Sequence, residues 1–391
     1  MLNFSLLPAA DRGFRIENKG ENMRAILMTS AAALAVALVA TPAAAQQRGE
    51  KIANSYICVF KAREVSRGQA QAEANRSAQS VGARVTHVYS VAIRGFAAEL
   101  PAQAVENMQK NNPNIEYCEQ DQVVTTGPVT AQGKPEVGTT AEETPWGIAR
   151  VGGGAPYTGS GTAWVIDTGI APHADLNFDT SRSRSFIRDT SPVDQNGHGT
   201  HVAGTIAARA NNSGVVGVAA GAPVVAVRVL DRRGSGSNSG VIAGVDYVAQ
   251  NGRPGDVANM SLGGGVSTAL DTAVVNAAAG GVRFALAAGN ESDNANNHSP
   301  ARANGNNVFT VSAFAIGDKW ASFSNFGNPP IDYAEPGVSI KSTWLNGGYN
   351  TISGTSMATP HLAGLLLAGA VSNGGTVAGD PAAPADVIGV K

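Results

Sequence analysis

Three side chains of this 391-residue sequence could together carry out acyl transfer. Asp167 closes the apolar run "WVIDTG", His198 stands in "NGHGTHVAGT", and Ser356 lies in "SGTSMATPHLAGLLLAG". Each has an ordinary explanation when taken alone: an aspartate before Thr-Gly suits a turn, and a serine at a helix start caps the helix. Together they complement one another. A serine hydroxyl is a poor nucleophile until an imidazole takes its proton. The imidazole in turn needs a carboxylate to hold its tautomer and to stabilise the cation that forms. The order along the chain is Asp, His, Ser, one of three unrelated orders in which this geometry occurs. His201, one turn beyond His198, is expected to pack or bond within its helix. A His-Glu-x-x-His zinc site is excluded, because glycine follows the first histidine and the second comes one residue early.

The elements that must hold these residues can be read from the periodicity. From about Thr144 onward, apolar strand-like runs at 161–167, 223–231, 256–264, 282–290 and 308–314 alternate with helical spacing at 239–252 and 268–281. That alternation predicts a parallel sheet covered on both faces. Functional residues in such sheets collect beyond the carboxyl ends of strands, where Asp167, Asp231, the Gly263 region and Asn290 fall. The run after Ser356 is apolar nearly all round, so a buried helix is expected there. Residues 54–124 read as a separate βαββαβ segment, with strands at 56–60, 84–101 (two) and 115–124 and helices at 66–82 and 102–112. The stretch 125–143 is rich in Gly, Pro and Thr without period, as a linker is.

Composition narrows the function. Lys and Arg number 28 against 30 Asp and Glu, a net charge of −2, which gives no reason to expect a nucleic-acid or acidic partner. Glycine, at 47 residues, exceeds the usual share of about 7%, yet no G-X-Y period is present. Residues 23–45 run from Met23-Arg24 through "AAALAVALVA" to "TPAAA", which describes a secretory signal peptide cut near Ala45. Its apolar core is too short for a stable membrane anchor. Residues 1–22 do not resemble a signal n-region, so Met23 is the expected translation start.

The motifs "VIDTGI", "NGHGTHVAGT" and "GTSMATPH" resemble the three signature segments of subtilisin-family serine peptidases (subtilases). "TPWGIARVGG", "VRVLDRRGSGSNSGVIAGVDYV" and "SNFG" resemble the proteinase K-like branch, and the likeness runs from about Thr144 to at least Gly369. In residues 54–124, "GFAAELP" and "EYCEQDQVV" resemble the family's inhibitory propeptide, of the I9 type. The resemblance implies an α/β, three-layer subtilisin-like fold with a mostly parallel central sheet, preceded by a small α+β, ferredoxin-like propeptide. It divides the chain into an extension and signal (1–45), propeptide (46–124), linker with the processing site (125–143) and peptidase domain (144–391).

The same resemblance implies roles. Ser356 is the expected nucleophile, His198 the base and then acid, Asp167 the orienting carboxylate, and Asn290 the oxyanion donor alongside the Ser356 amide. Gly234-Ser235-Gly236 and Ser261-Leu262-Gly263 match the segments that sandwich an extended substrate, with Ala287-Ala288-Gly289 at the primary pocket. Such walls of small, uncharged residues imply broad cleavage after apolar or aromatic residues. No cofactor is expected for catalysis. A structural calcium is expected at Asp332 in "IDYAEPG", although "SPARANGNNVF", which would give the carbonyls, is longer than the family pattern and lacks its second proline. Cys58 and Cys118 fall on the first and last propeptide strands, where a disulfide and two buried thiols are both compatible with the pattern. The mature enzyme would contain no cysteine, unlike proteinase K.

The expected product is a secreted or periplasmic monomeric endopeptidase acting on protein and peptide substrates, with its own propeptide as inhibitor and folding aid. An esterase or lipase is disfavoured because the residues around Ser356 read G-T-S-M-A rather than G-x-S-x-G. A non-catalytic binding protein would be favoured by loss of Asp167, His198, Ser356 or Asn290, and all four are present.

Overall fold

Period-two alternation governs the first sheet. In strand β1 (Lys51–Phe60), Cys58 and Phe60 face one core while Ile57 and Val59 face another. The element order continues with α1 (Ala70–Gln79), β2 (Arg84–Tyr89), β3 (Gly95–Glu99), α2 (Ala102–Asn111) and β4 (Ile115–Thr125). These strands pair antiparallel in the order β4-β1-β3-β2. Cys58, Phe60, Phe96 and Leu100 pack with Ala74 of α1 and with Val105 and Met108 of α2. Cys58 and Cys118 are register partners on β1 and β4 and are joined by a disulfide, S–S 1.99 Å. The structure is a computed structural model that describes residues 47–136, 141–188 and 190–391. The expected signal peptide at 23–45 lies outside the described residues, as does the stretch 1–22.

After the short strand β5 (Thr130–Ala131) come α3 (Trp146–Arg150), β6 (Ala163–Asp167), β7 (Asn177–Phe178), β8 (Arg184–Ser185), α4 (His198–Ala207), β9 (Pro223–Arg228) and β10 (Ser235–Ser237). Then follow α5 (Asn238–Asn251), β11 (Val257–Met260), α6 (Thr268–Ala278), β12 (Arg283–Ala287), β13 (Val308–Ala315) and β14 (Lys319–Trp320). The chain ends with β15 (Ile331–Pro336), β16 (Ile340–Thr343), β17 (Tyr349–Ser353), α7 (Thr355–Ala368), β18 (Ser372–Thr376) and β19 (Val387–Val390). Strands β15-β13-β12-β11-β6-β9 form a parallel sheet. Both faces are covered. Trp164 and Ile166 of β6 pack towards α5 and α6, while Ala163 and Val165 pack towards α4 and α7. The outer face of the small sheet, with Ile57, Val59 and Ala97, joins the α5–α6 core, so both sheets share it.

Several runs leave the ladder earlier than periodicity predicts. β9 stops at Arg228, β11 at Met260 and β12 at Ala287, whereas the apolar pattern continues to 231, 264 and 290. The extra residues turn off at the carboxyl ends and line the cleft. "IDYAEP", which resembles the family's calcium-binding segment, forms β15 inside the sheet. The tail adds β19 parallel to β15 and β18 antiparallel to β19, which widens the sheet at that edge. Among the described residues, no helix is long and apolar enough to cross a membrane.

Candidate active site

Asp167 is the last residue of β6 and His198 the first of α4, and both are buried. The carboxylate meets the ring: His198 Nδ1 lies 2.8 Å from Asp167 Oδ1 and 2.9 Å from Oδ2. Close approach needs glycine at 199, since a Cβ there would sit 2.2 Å from the Gly169 carbonyl. Asp194 holds the start of α4. Its Oδ1 accepts the amides of Asn196 and Gly197, and its Oδ2 accepts the amide and hydroxyl of Thr200 at 3.0 and 2.7 Å. Sequence reasoning missed Asp194, whose signal was only an aspartate placed a few residues before a helix. The ring of His201 bonds outside its own helix. Its Nε2 reaches the carbonyl of Ile340 at 2.9 Å, and burial pulls its pKa down to about 3, so the ring is neutral and structural.

Ser356 is the second residue of α7, which places its hydroxyl at the helix start, where free N–H groups and the positive dipole end gather. The hydroxyl lies 3.3 Å from the carbonyl oxygens of Ser261 and Thr126 and can donate to either. His198 Nε2 is buried without a hydrogen-bond partner, so the Ser356–His198 bond is not made in this state. Ser261 Oγ donates to the Ser356 carbonyl at 2.9 Å and receives Asn259 Nδ2, tying β11 to α7. Asn290 is aimed by Thr355, whose amide and hydroxyl both donate to its Oδ1 at 2.8 Å. Its Nδ2 is left to donate into the cleft, to Pro128 O at 3.1 Å.

The cleft holds the chain's own segment 123–128. Val123, Val124 and Thr125 pair antiparallel with Ser237, Gly236 and Ser235, and the Thr126 amide donates to Gly234 O at 3.1 Å. On the other side, Thr125 and Gly263 exchange both amide bonds at 3.0 Å. Beyond Ser356, Thr130 and Ala131 add to β17 opposite Ser353 and Ile352. Leu262, Gly263, Ala287, Gly289, Asn290 and Ser356 line a pocket beside this segment. Ala288 turns away, into an apolar cluster with Ala295, Ala301 and Ile331.

Acidic side chains secure the small sheet on the helices, a role not read from the sequence. Asp121 accepts the Ser239 amide at 3.1 Å near the start of α5, and Glu119 accepts the Ser267 hydroxyl at the start of α6. Asp246 of α5 receives three amides in return, from Ser90, Val91 and Ala92.

Asp332 and the nearby backbone carbonyls would supply only part of a calcium ion's six to eight oxygens, with water completing the rest. Asp332 Oδ2 accepts the Thr310 amide, the Ala301 carbonyl takes the Thr310 hydroxyl, and the Pro300 carbonyl takes the Ala303 amide. Among the described residues, no group of three or more His, Cys, Asp and Glu could hold a metal.

Residues 164–371 match the Subtilase family, peptidase S8, and residues 55–127 match the peptidase inhibitor I9 family. The chain is 38% identical over 336 residues to proteinase R of Parengyodontium album, covering 82% of this chain and 80% of that one. It is 44% identical to the extracellular serine proteinase of Thermus sp. (strain Rt41A), covering 75% and 70%. It is 41% identical to alkaline serine exoprotease A of Vibrio alginolyticus, covering 80% of this chain and 60% of that protein's length. A crystal structure of a cold-adapted subtilisin-like serine proteinase superposes with a TM-score of 0.55 at 42% identity, over 62% of this chain and 96% of the other. The chain therefore belongs to the subtilase family of serine peptidases, proteinase K-like, and carries an I9 propeptide domain.

Proposed function

We propose that the protein is a secreted serine endopeptidase made as a self-processing zymogen. Residues 46–124 act as inhibitor and folding aid, residues 125–143 contain the processing site, and residues 144–391 are the monomeric peptidase. Ser356 Oγ attacks the scissile carbonyl while its proton passes to His198 Nε2, and Asp167 stabilises the imidazolium. The Asn290 amide and the Ser356 N–H hold the oxyanion. The tetrahedral intermediate collapses to an acyl-enzyme as His198 returns the proton to the leaving amine. Water, activated by His198, then releases the acyl group and frees Ser356. Extended binding between Gly234–Gly236 and Ser261–Gly263 recognises any peptide backbone. The apolar and small pocket walls favour broad cleavage after apolar or aromatic residues.

The observation that supports this most is the linker in the cleft, with the Thr126 carbonyl at the Ser356 hydroxyl and the Pro128 carbonyl at the Asn290 amide. The open Ser356–His198 bond fits that occupancy, because catalytic hydrogen bonds tighten in the reactive complex. Expressing the full chain and Ser356→Ala side by side tests the reading. The wild type should shed its propeptide and clear casein, and a serine-directed phosphonylating inhibitor should abolish clearing. A Ser356→Ala chain that still matured when pure would refute self-processing.

A further inference from the structure

The pocket beside Ser356 is filled by a side chain from the opposite end of the propeptide. Arg48 lies among Leu262, Gly263, Ala287, Gly289 and Asn290, and its side chain is 17% exposed. Its guanidinium forms an ion pair with Glu291, the residue after Asn290. Glu291 is itself fixed, since Asn325 Nδ2 donates to its Oε2 at 2.7 Å and Asn325 Oδ1 accepts its amide. The guanidinium lies directly over Gly263, where a Cβ would sit 2.1 Å from Arg48 Nη2. A larger residue there would push the guanidinium aside.

The arm is held by backbone as well as charge. The Gly49 amide donates to Val123 O at 2.9 Å and the Val123 amide donates to Glu50 O at 2.9 Å. Residues 49–50 therefore flank the strand that occupies the cleft, on the side where Thr125 meets Gly263. That strand delivers a glycine next to the pocket. A Cβ on Gly127 would lie 3.4 Å from Asn290 Nδ2 and 3.5 Å from Arg48 Nη1. With no side chain from the strand to fill the pocket, the space goes to Arg48.

We propose that Gln47–Glu50 is a second inhibitory arm, in which Arg48 plugs the primary specificity pocket in cis and anchors to Glu291. The strand at 123–126 blocks the cleft by backbone pairing and by its buried Val123 and Val124 side chains, and the arm supplies the side chain beside Ser356 that this strand lacks. The propeptide thus holds the site from both of its ends. Once the linker is cut, Arg48 keeps the pocket closed until the whole domain leaves. This proposal rests on the peptidase reading above.

The test uses the full chain. Maturation of the purified zymogen is followed with an uncharged chromogenic peptide for wild type, Arg48→Ala, Arg48→Lys and Arg48→Glu. Removing one partner of a desolvated ion pair chiefly speeds dissociation, so Arg48→Ala should shorten the lag about fivefold or more, with Arg48→Glu shorter still and Arg48→Lys nearer wild type. The matured enzymes, which no longer carry the arm, should have equal kcat/KM. Equal lags for wild type and Arg48→Ala overturn the proposal. If wild type itself never matures, the peptidase reading fails instead.

A second measurement does not depend on activity. In a full chain carrying Ser356→Ala, trypsin should cut after the exposed Arg63 and Arg67 well before Arg48. Adding Glu291→Gln should speed cutting after Arg48 while leaving Arg63 and Arg67 unchanged, which also reports that the fold is intact. Cutting after Arg48 as fast as after Arg63 without that change would sink the plug.

Discussion

Asp167 and His198 face each other with both carboxylate oxygens within 2.9 Å of one ring nitrogen, Nδ1. A carboxylate can only accept, so Nδ1 carries the proton and Nε2 is left free to act as the proposed base. Asn at 167 would present an amide group that can donate to Nδ1 and favour the wrong tautomer. Asp167→Asn should therefore lower kcat of the matured enzyme by roughly 10⁴-fold with KM little changed. Steady-state kinetics on a peptide nitroanilide checks it; a loss below tenfold would remove Asp167 from the mechanism.

Asn290 donates into the cleft only because Thr355 takes up its oxygen with two bonds of 2.8 Å. Asn290→Ala should reduce kcat by about 10²–10³-fold. Thr355→Val keeps the backbone bond and loses the hydroxyl one, so a smaller loss of roughly tenfold is expected. Measuring both separates the donor from the group that aims it. Equal losses would mean that Thr355 acts otherwise.

Asp194 gathers four donors at the start of α4 and so sets where His198 stands. Asp194→Ala should destabilise the peptidase domain by about 2 kcal/mol. In a domain of this size that is roughly 4–8 °C in Tm. Calorimetry of the matured enzyme reads it, and kcat should fall together with Tm.

Glu335 on β15 is fully buried, and neither carboxylate oxygen has a hydrogen-bond partner. Desolvation raises its pKa well above the ordinary 4.5, with Arg150 opposing. The folded state keeps the proton while the unfolded chain releases it above that value, so stability falls as pH rises past 4.5. Glu335→Gln removes this slope. Its Tm relative to wild type should climb between about pH 4 and pH 8 in the Ser356→Ala background, where self-digestion is absent. A flat difference across that range would contradict the assignment.

The positions of Asp167, His198, Ser356 and Asn290 were legible because each lies in a contiguous motif at the end of a strongly patterned element. Where strands end was harder to read. Val229, Leu262 and Ala288 are as apolar as the ladder before them, and only the cleft's demand for free backbone pulls them out of it. β5 has two residues, too few for any period, and it exists only because β17 offers an edge. β15 buries Glu335, which breaks the apolar run that marks a central strand. Arg48 and Glu291 lie 243 residues apart, and neither polar surrounding hints at the other. Glu119 and Asp121 sit in the polar run EQDQ, which reads as an ordinary solvated face. Only the helix starts opposite them reveal the docking.

The linker crosses the catalytic cleft without a break, with β4 zipped to β10 on one bank and β5 zipped to β17 on the other. Hydrolysis of a bond midway leaves each new terminus tethered where it already lay, so scission by itself moves nothing. On the proposed self-processing, the interval between severing the chain and gaining an unobstructed groove would work as a timer. Its length would be set by how slowly these two short ribbons and the Arg48 arm peel from their shores.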